Sequence, residues 1–189
     1  ESLGDELERA IAAYRPPSCD ARRIVVPAPA VQQTPRVWLV QKDDASSVAV
    51  SMGLAIDVTR SDPDFPALAL ATTWLGQHRQ FVGRLMREMR EKRGLNYGDY
   101  AYAEHFEQDG WGVYPSPNVA RSQQYFSIWL RPVKPEQAHF AVRMAVRELR
   151  NFIDRGLTQT DLDSVRRFAS GYYGLFLQTE SRRLGFALD

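Results

Sequence analysis

In the stretch "REKRGLNY" an arginine, Arg90, precedes a tyrosine, Tyr97, with Gly94 between them. A guanidinium and a phenol fixed on either side of one turn can converge on a single substrate oxygen. Such a pair suits the polarising of a carbonyl and the steadying of the oxyanion at a tetrahedral intermediate. It generates no nucleophile, so hydrolysis would need a metal or a base from elsewhere. The plainer alternative is local. Arg90 flanks the apolar stripe of a helix, where its stem packs and its head stays in water, and Gly94 stops that helix before Tyr97 begins a strand. On composition alone this plainer alternative is the stronger.

Other chemistry is thinner. His78, His105 and His139 are scattered. The segment "AYAEH" has the glutamate and histidine of an inverted zinc motif but alanine, Ala101, where its first histidine belongs. It also lies on an expected strand, where positions four apart stand ~13 Å apart instead of stacking as on a helix. No metal ligands are assigned. A nucleophile elbow, a Walker-type loop and a dinucleotide-binding glycine pattern are all absent from the sequence. The single cysteine, Cys19, excludes an internal disulfide and a cysteine metal cluster.

The chain has 189 residues, enough to bury a core, and its 24 basic and 23 acidic residues leave a net charge of +1. Neither a nucleic-acid surface nor a membrane-surface patch is suggested. No apolar run approaches the ~20 residues of a membrane span. The sequence begins without methionine and reads as an excised piece.

Helical spacing of Leu7, Ala10, Ile11 and Tyr14 predicts a short first helix that stops at Pro16 and Pro17. A Pro-rich connector follows, with one possible strand at "RRIVVP". Residues 1–35 therefore read as helix and linker, and residues 36–189 as the main domain. "RVWLVQK" (36–42), apolar on both faces, suits a central strand joined by a hairpin to the next run. There Val48, Val50, Met52, Leu54, Ile56 and Val58 alternate with smaller residues. Asp62 and Pro63 are expected to open a helix that breaks at Gly76. A second helix carries Phe81, Val82, Leu85, Met86 and Met89 and stops at Gly94. Two strands, "NYGDYAYAEHFE" and "QQYFSIWLRP", are expected to pair. Two more helices follow, residues 135–155 and 158–178, the second opened by Thr158 and Asp161 as a capping box and the first closed by Gly156. Strands, two helices, strands, two helices give the α+β class: a two-layer sandwich, its mostly antiparallel sheet carrying helices on one face.

If large apolar side chains turn toward the helices, Tyr100, Tyr102 and Phe106 go inward, with Phe126, Ile128 and Leu130. Tyr97, Asp99, Ala101, Ala103 and His105 then share the opposite face with Tyr125, Ser127, Trp129 and Arg131. Ala49, Ser51, Gly53, Ala55 and Asp57 complete it. This face reads as a solvated surface or as one that holds a peptide.

The blocks "FVGRLMREMREKRGLNYGDYAY", "FSIWLRPV" and "RELRNFIDRGLTQTDLDSVRR" together resemble the second, non-zinc domain of the pitrilysin-type zinc peptidases, the family of insulin-degrading enzyme and the mitochondrial processing peptidases. The similarity runs from about Arg36 to Gly174. It implies a chamber of two homologous halves. One half holds zinc through His-x-x-Glu-His and a further glutamate; the other presents an arginine and a tyrosine to the substrate carbonyl. Arg90 and Tyr97 match that pair, and Asp99, His105, Tyr125, Trp129 and Arg131 become candidate peptide contacts. No His-x-x-Glu-His occurs in the chain. The resemblance therefore implies a substrate-clamping domain with no cofactor of its own. Its partners would be a zinc-binding half, in the same polypeptide or another subunit, and a peptide. An inactive scaffold of the same family is the alternative. Family habit points to a bacterial periplasm or cell envelope.

Overall fold

The long alternating run folds as its pattern dictates, into β1 (Val48–Ile56), and pairs antiparallel with β3 (Gln124–Val133). β2 (Asn96–Ala103) lies antiparallel on the other edge of β3, giving a three-stranded sheet in the order β1-β3-β2. These elements belong to a computed structural model, which describes residues 2–15, 27, 34–77, 81, 83–103 and 123–188. The expected strand at "RRIVVP" and residues 104–107 of the expected third strand, His105 and Phe106 included, lie outside the described residues.

Helices cover one face. α2 (Phe65–Thr72) leads into a wide, π-type turn at Thr73–Gln77, and a second wide turn spans Met86–Glu91. After β3 a short turn at Pro135–Gln137 runs into α3 (Ala138–Arg155), followed by α4 (Gln159–Phe176) and α5 (Glu180–Ala187). Gly156, at φ 66°, ends α3 as expected. At the start of α4 the Thr158 hydroxyl accepts from the Asp161 N–H and donates to the Asp161 carboxylate, 2.6 Å away. The Asp161 side chain thus meets the cap's hydroxyl in place of its backbone N–H. The α+β reading holds.

The core forms where the helical segments meet the sheet. Leu75, Leu85 and Met89 come down from above, Ala101, Ile128, Leu130 and Val133 rise from the strands, and Ala141, Met144 and Ala145 close the side from α3. Trp74 packs on Phe152 at 5.1 Å between ring centroids, and Phe81 on Phe168 at 5.1 Å, which ties α3 and α4 to the same layer.

Two local expectations change. Residues 36–42 are not a central strand: they run without a ladder, and Val37, Trp38, Leu39 and Val40 are each more than four-fifths exposed. Among the described residues β3 takes the central place, with β1 on one edge and β2 on the other. An apolar pattern on both faces signals a need for cover without naming the neighbour. α2 starts at Phe65, with Pro66 in its first turn, while Asp62 serves the turn before it by accepting from the Asp64 N–H at 2.9 Å. The first helix is present as α1 (Leu3–Ala13), capped by Ser2 and Asp5, yet none of its residues is buried.

A charged cluster holds the helical segment above β2. The Glu88 carboxylate, almost fully buried, meets Lys92 at 2.7 Å and both Arg84 and Arg93 at 3.2 Å; Arg84 also reaches Glu148 of α3 at 2.8 Å. Burial raises the Glu88 pKa, but hydrogen bonds from Lys92 and Arg93 and the charges of Arg84 and Lys92 outweigh it and hold the group below its ordinary 4.5. The stability it contributes is therefore present above pH 4.5 and lost as pH falls through the lower folded value. Glu88→Gln is expected to lower the unfolding free energy by about 2 kcal/mol at neutral pH, since one carbonyl oxygen cannot serve three cations. Urea unfolding checks it: the midpoint should fall at unchanged slope, and the variant's stability should decline less than the wild type's on acidification.

Candidate functional site

The turn between Arg90 and Tyr97 is closed by backbone geometry that only glycine adopts readily. Gly94 sits at φ 59°, and a Cβ there would meet nothing within 4 Å, so the requirement is conformational and not one of space. Its N–H donates to the Arg90 carbonyl at 2.8 Å, and the next N–H, of Leu95, reaches the Met89 carbonyl at 3.1 Å. These nested bonds are one residue wider than an ordinary glycine cap, as suits a helix that already ends in a wide turn. Leu95 then plunges into the core, so the chain is pinned on both sides of the reversal.

Pinned in this way, the two residues singled out by their spacing meet. The Arg90 guanidinium carbon lies 4.5 Å from the centroid of the Tyr97 ring, a cation–π contact worth about 0.5–1 kcal/mol where water still reaches it. Arg90 is exposed and Tyr97 is 68% exposed. A guanidinium and a phenol, neither with a hydrogen-bond partner among the described residues, therefore stand side by side at the start of an edge strand.

Beneath them is a group that sequence reasoning misread. Asp99 is 1% exposed. Its Oδ1 accepts from the Asn96 side-chain amide, which also donates to the Gly98 carbonyl at 3.1 Å. Asp99 Oδ2 and Asn96 Oδ1 are buried with no hydrogen-bond donor among the described residues. Burial pushes the carboxyl from its ordinary 3.8 up to about 6, against the opposing pull of the Asn96 hydrogen bond and the Arg90 charge. With a raised folded value the sign runs opposite to that of Glu88: the group weakens the fold as pH rises from 3.8 through about 6.

The register of the sheet explains why Asp99 is there. Asp99, Ala101 and Ala103 lie opposite Leu130, Ile128 and Phe126, on the helix side, whereas Tyr100 and Tyr102 lie opposite Trp129 and Ser127. This reverses the faces expected for β2 and removes Asp99 from the group of Tyr125, Trp129 and Arg131. The cause is a close backbone approach. A Cβ on Gly76 would come within 3.2 Å of the Asp99 carbonyl oxygen and 3.4 Å of the Ala101 nitrogen, and one on Gly83 within 2.8 Å of Gly76. There is no room for a tyrosine between these segments, so the small residues turn inward. The signal was present in the sequence: two alanines alternating with tyrosines, and two glycines in the helical segments above them.

For β3 and β1 the expected faces hold. Tyr125, Ser127 and Trp129 stand opposite Ala55, Gly53 and Ser51, and Arg131 lies over the Trp129 ring at 5.0 Å. Tyr102 meets Trp129 edge to face at 5.6 Å and stacks with Tyr100 at 5.9 Å. The face is only partly open: Tyr100, Tyr102 and Ser127 are buried, while Ser51, Gly53 and Ala55 are exposed. Tyr125, Trp129 and Arg131 thus share a surface with one another, and Arg90 and Tyr97 form a separate group at the sheet's edge. His105 lies outside the described residues.

Among the described residues no three His, Cys, Asp or Glu side chains gather as a metal would require, and no helix is long and apolar enough to cross a membrane. No curated protein matches the sequence. Among solved structures, the crystal structure of a peptidase M16 inactive domain from Pseudomonas fluorescens superposes with a TM-score of 0.57 at 24% identity, over 77% of this chain. The chain spans 32% of that one's length, and the likeness carries the fold alone. A family profile described as peptidase M16 inactive domain matches residues 6–168. With most of its length covered by that profile and its strands and helices in the corresponding α+β arrangement, the chain belongs to the peptidase M16 family, as an inactive domain.

Proposed function

We propose that this chain is the substrate-clamping domain of an M16 peptidase, in which Arg90 and Tyr97 face the scissile carbonyl and a zinc-bearing half, in the same polypeptide or a partner subunit, carries out hydrolysis. The observation that supports it is the contact at the Gly94 turn, where an exposed guanidinium and an exposed phenol stand 4.5 Å apart, guanidinium carbon to ring centroid. Both groups donate hydrogen bonds and neither is committed to a protein acceptor among the described residues. A carbonyl oxygen entering between them would accept from both, and both bonds would strengthen as that oxygen gains charge. The Tyr97 ring restrains the guanidinium, so little ordering remains to be done when substrate arrives. Tyr125, Trp129 and Arg131 offer an aromatic, cationic strip along the neighbouring face on which a peptide could lie. His105 and Asp99 were candidates for the same strip, but the register turns Asp99 to the helix side.

An assembly subunit of the same family without catalytic duty is the competing reading. It leaves an exposed Arg–Tyr pair with no task.

In the assembled peptidase, Tyr97→Phe should lower kcat by about 10²-fold, the typical effect of one lost oxyanion donor, with KM changed far less. An unchanged kcat would sink the carbonyl role and favour the assembly subunit. The chain by itself should bind no catalytic zinc and cleave no peptide. Chelator-sensitive hydrolysis of a fluorogenic peptide by the purified chain would overturn the division of labour between two halves.

A further inference from the structure

Arg90 differs from its cationic neighbours in what holds it. Lys92 and Arg93 are committed to Glu88, and Arg84 to Glu88 and Glu148. Arg90 takes part in neither cluster and lies instead on the Tyr97 ring. A buried carboxylate stands on the strand that carries Tyr97. Asp99 follows Tyr97 by two positions on the same strand, so the two side chains leave the backbone on the same side. Its carboxylate is buried, one oxygen is held by Asn96, and the other has no donor among the described residues. A buried acceptor without a partner is costly, and its retention calls for a reason.

From this juxtaposition we infer that Asp99 is a positioning residue: its half-satisfied, buried carboxylate is the counter-charge that keeps the Arg90 guanidinium at the Tyr97 ring. The inference rests on the reading of Arg90 and Tyr97 as the carbonyl-facing pair and adds the group that sets their geometry. The surroundings leave few competitors. Among the described residues of the second wide turn, Arg90 is the cation whose charge opposes the burial of Asp99, a smaller effect than that burial or the Asn96 hydrogen bond. Its cross-strand partner on β3 is Leu130, the first wide turn presents the backbone of Gly76, and α2 has no titratable side chain. Asn96, on its own strand, is neutral. When Asp99 is charged the guanidinium is drawn inward against the ring, and when it is protonated that restraint is released.

The test uses this chain alone and does not depend on catalysis. Arg90 side-chain N–H and Tyr97 ring resonances are followed by NMR from about pH 4 to about pH 8, the span in which a raised carboxyl titrates. Both should move with a single midpoint near 6, the value to which Asp99 is raised. In Asp99→Asn, nearly isosteric, that transition should vanish from both. Should Asp99→Asn fail to fold, the reciprocal variant at an exposed position decides. Arg90→Gln should raise the Asp99 midpoint by about half a pH unit or more, and Arg90→Lys should bring it back toward the wild type. The inference is overturned if Asp99 titrates while Arg90 and Tyr97 stay still, or if Arg90→Gln leaves the Asp99 midpoint where it was. In the assembled peptidase, Asp99→Asn should lower kcat with little change in KM and flatten the acidic side of its pH profile. A silent Tyr97→Phe together with an intact titration linkage would remove the carbonyl reading and leave the positioning role supported. The reverse pattern, an impaired Tyr97→Phe beside a normal Asp99→Asn, would remove the positioning role alone.

Discussion

One carboxylate organises the segment on which everything proposed for this domain depends. Glu88 is buried beneath the last helical turn, and Arg84, Lys92 and Arg93 all close upon it. An unpaired carboxylate in that place would be severely penalised. The three cations must therefore stay, and with them the wide turn, the left-handed glycine and the entry of Leu95 into the core. Arg84 extends the same grip to Glu148 on α3. A helix end that would fray in isolation is thereby fixed to the second helical layer.

Within this frame charge is divided between two kinds of work. The cations bound by Glu88 and Glu148 hold the backbone. Arg90 is kept out of that cluster and is turned toward an aromatic ring at the solvent boundary. The two buried carboxylates differ in the same sense. Glu88 is held in its charged form by an excess of donors, while Asp99 has one donor and is pushed toward its neutral form. A group saturated with partners stabilises, and one left half satisfied can still respond.

Much of this was legible in the sequence. Gly94 announced the reversal, Gly156 and Thr158 announced the junction between α3 and α4, and large-small alternation announced β1. The pairing of β2 with β3 and the helix-covered sheet followed from element order. What could not be read was which face of β2 turned inward. Hydrophobic size argued for Tyr100 and Tyr102, but the decision was steric and came from Gly76 and Gly83 elsewhere in the chain. The same limit applies to residues 36–42, whose apolar character was plain and whose neighbour was not. Glu88 has Arg84 and Lys92 four residues to either side, a spacing plain in the sequence; its burial, which turns those pairs into a structural anchor, was not.

The glycine contact between the helical segment and β2 has one more consequence. With no side chains in between, the spacing of the two segments is set by backbone atoms touching backbone atoms, which is the stiffest gauge a protein can build. Gly83, which leads into the turn that carries Arg90, packs on Gly76, and Tyr97 lies on the strand beneath it. A single methyl group introduced at Gly76 would act as a shim, and the gap it opened would pass through Gly83 to the segment that carries Arg90.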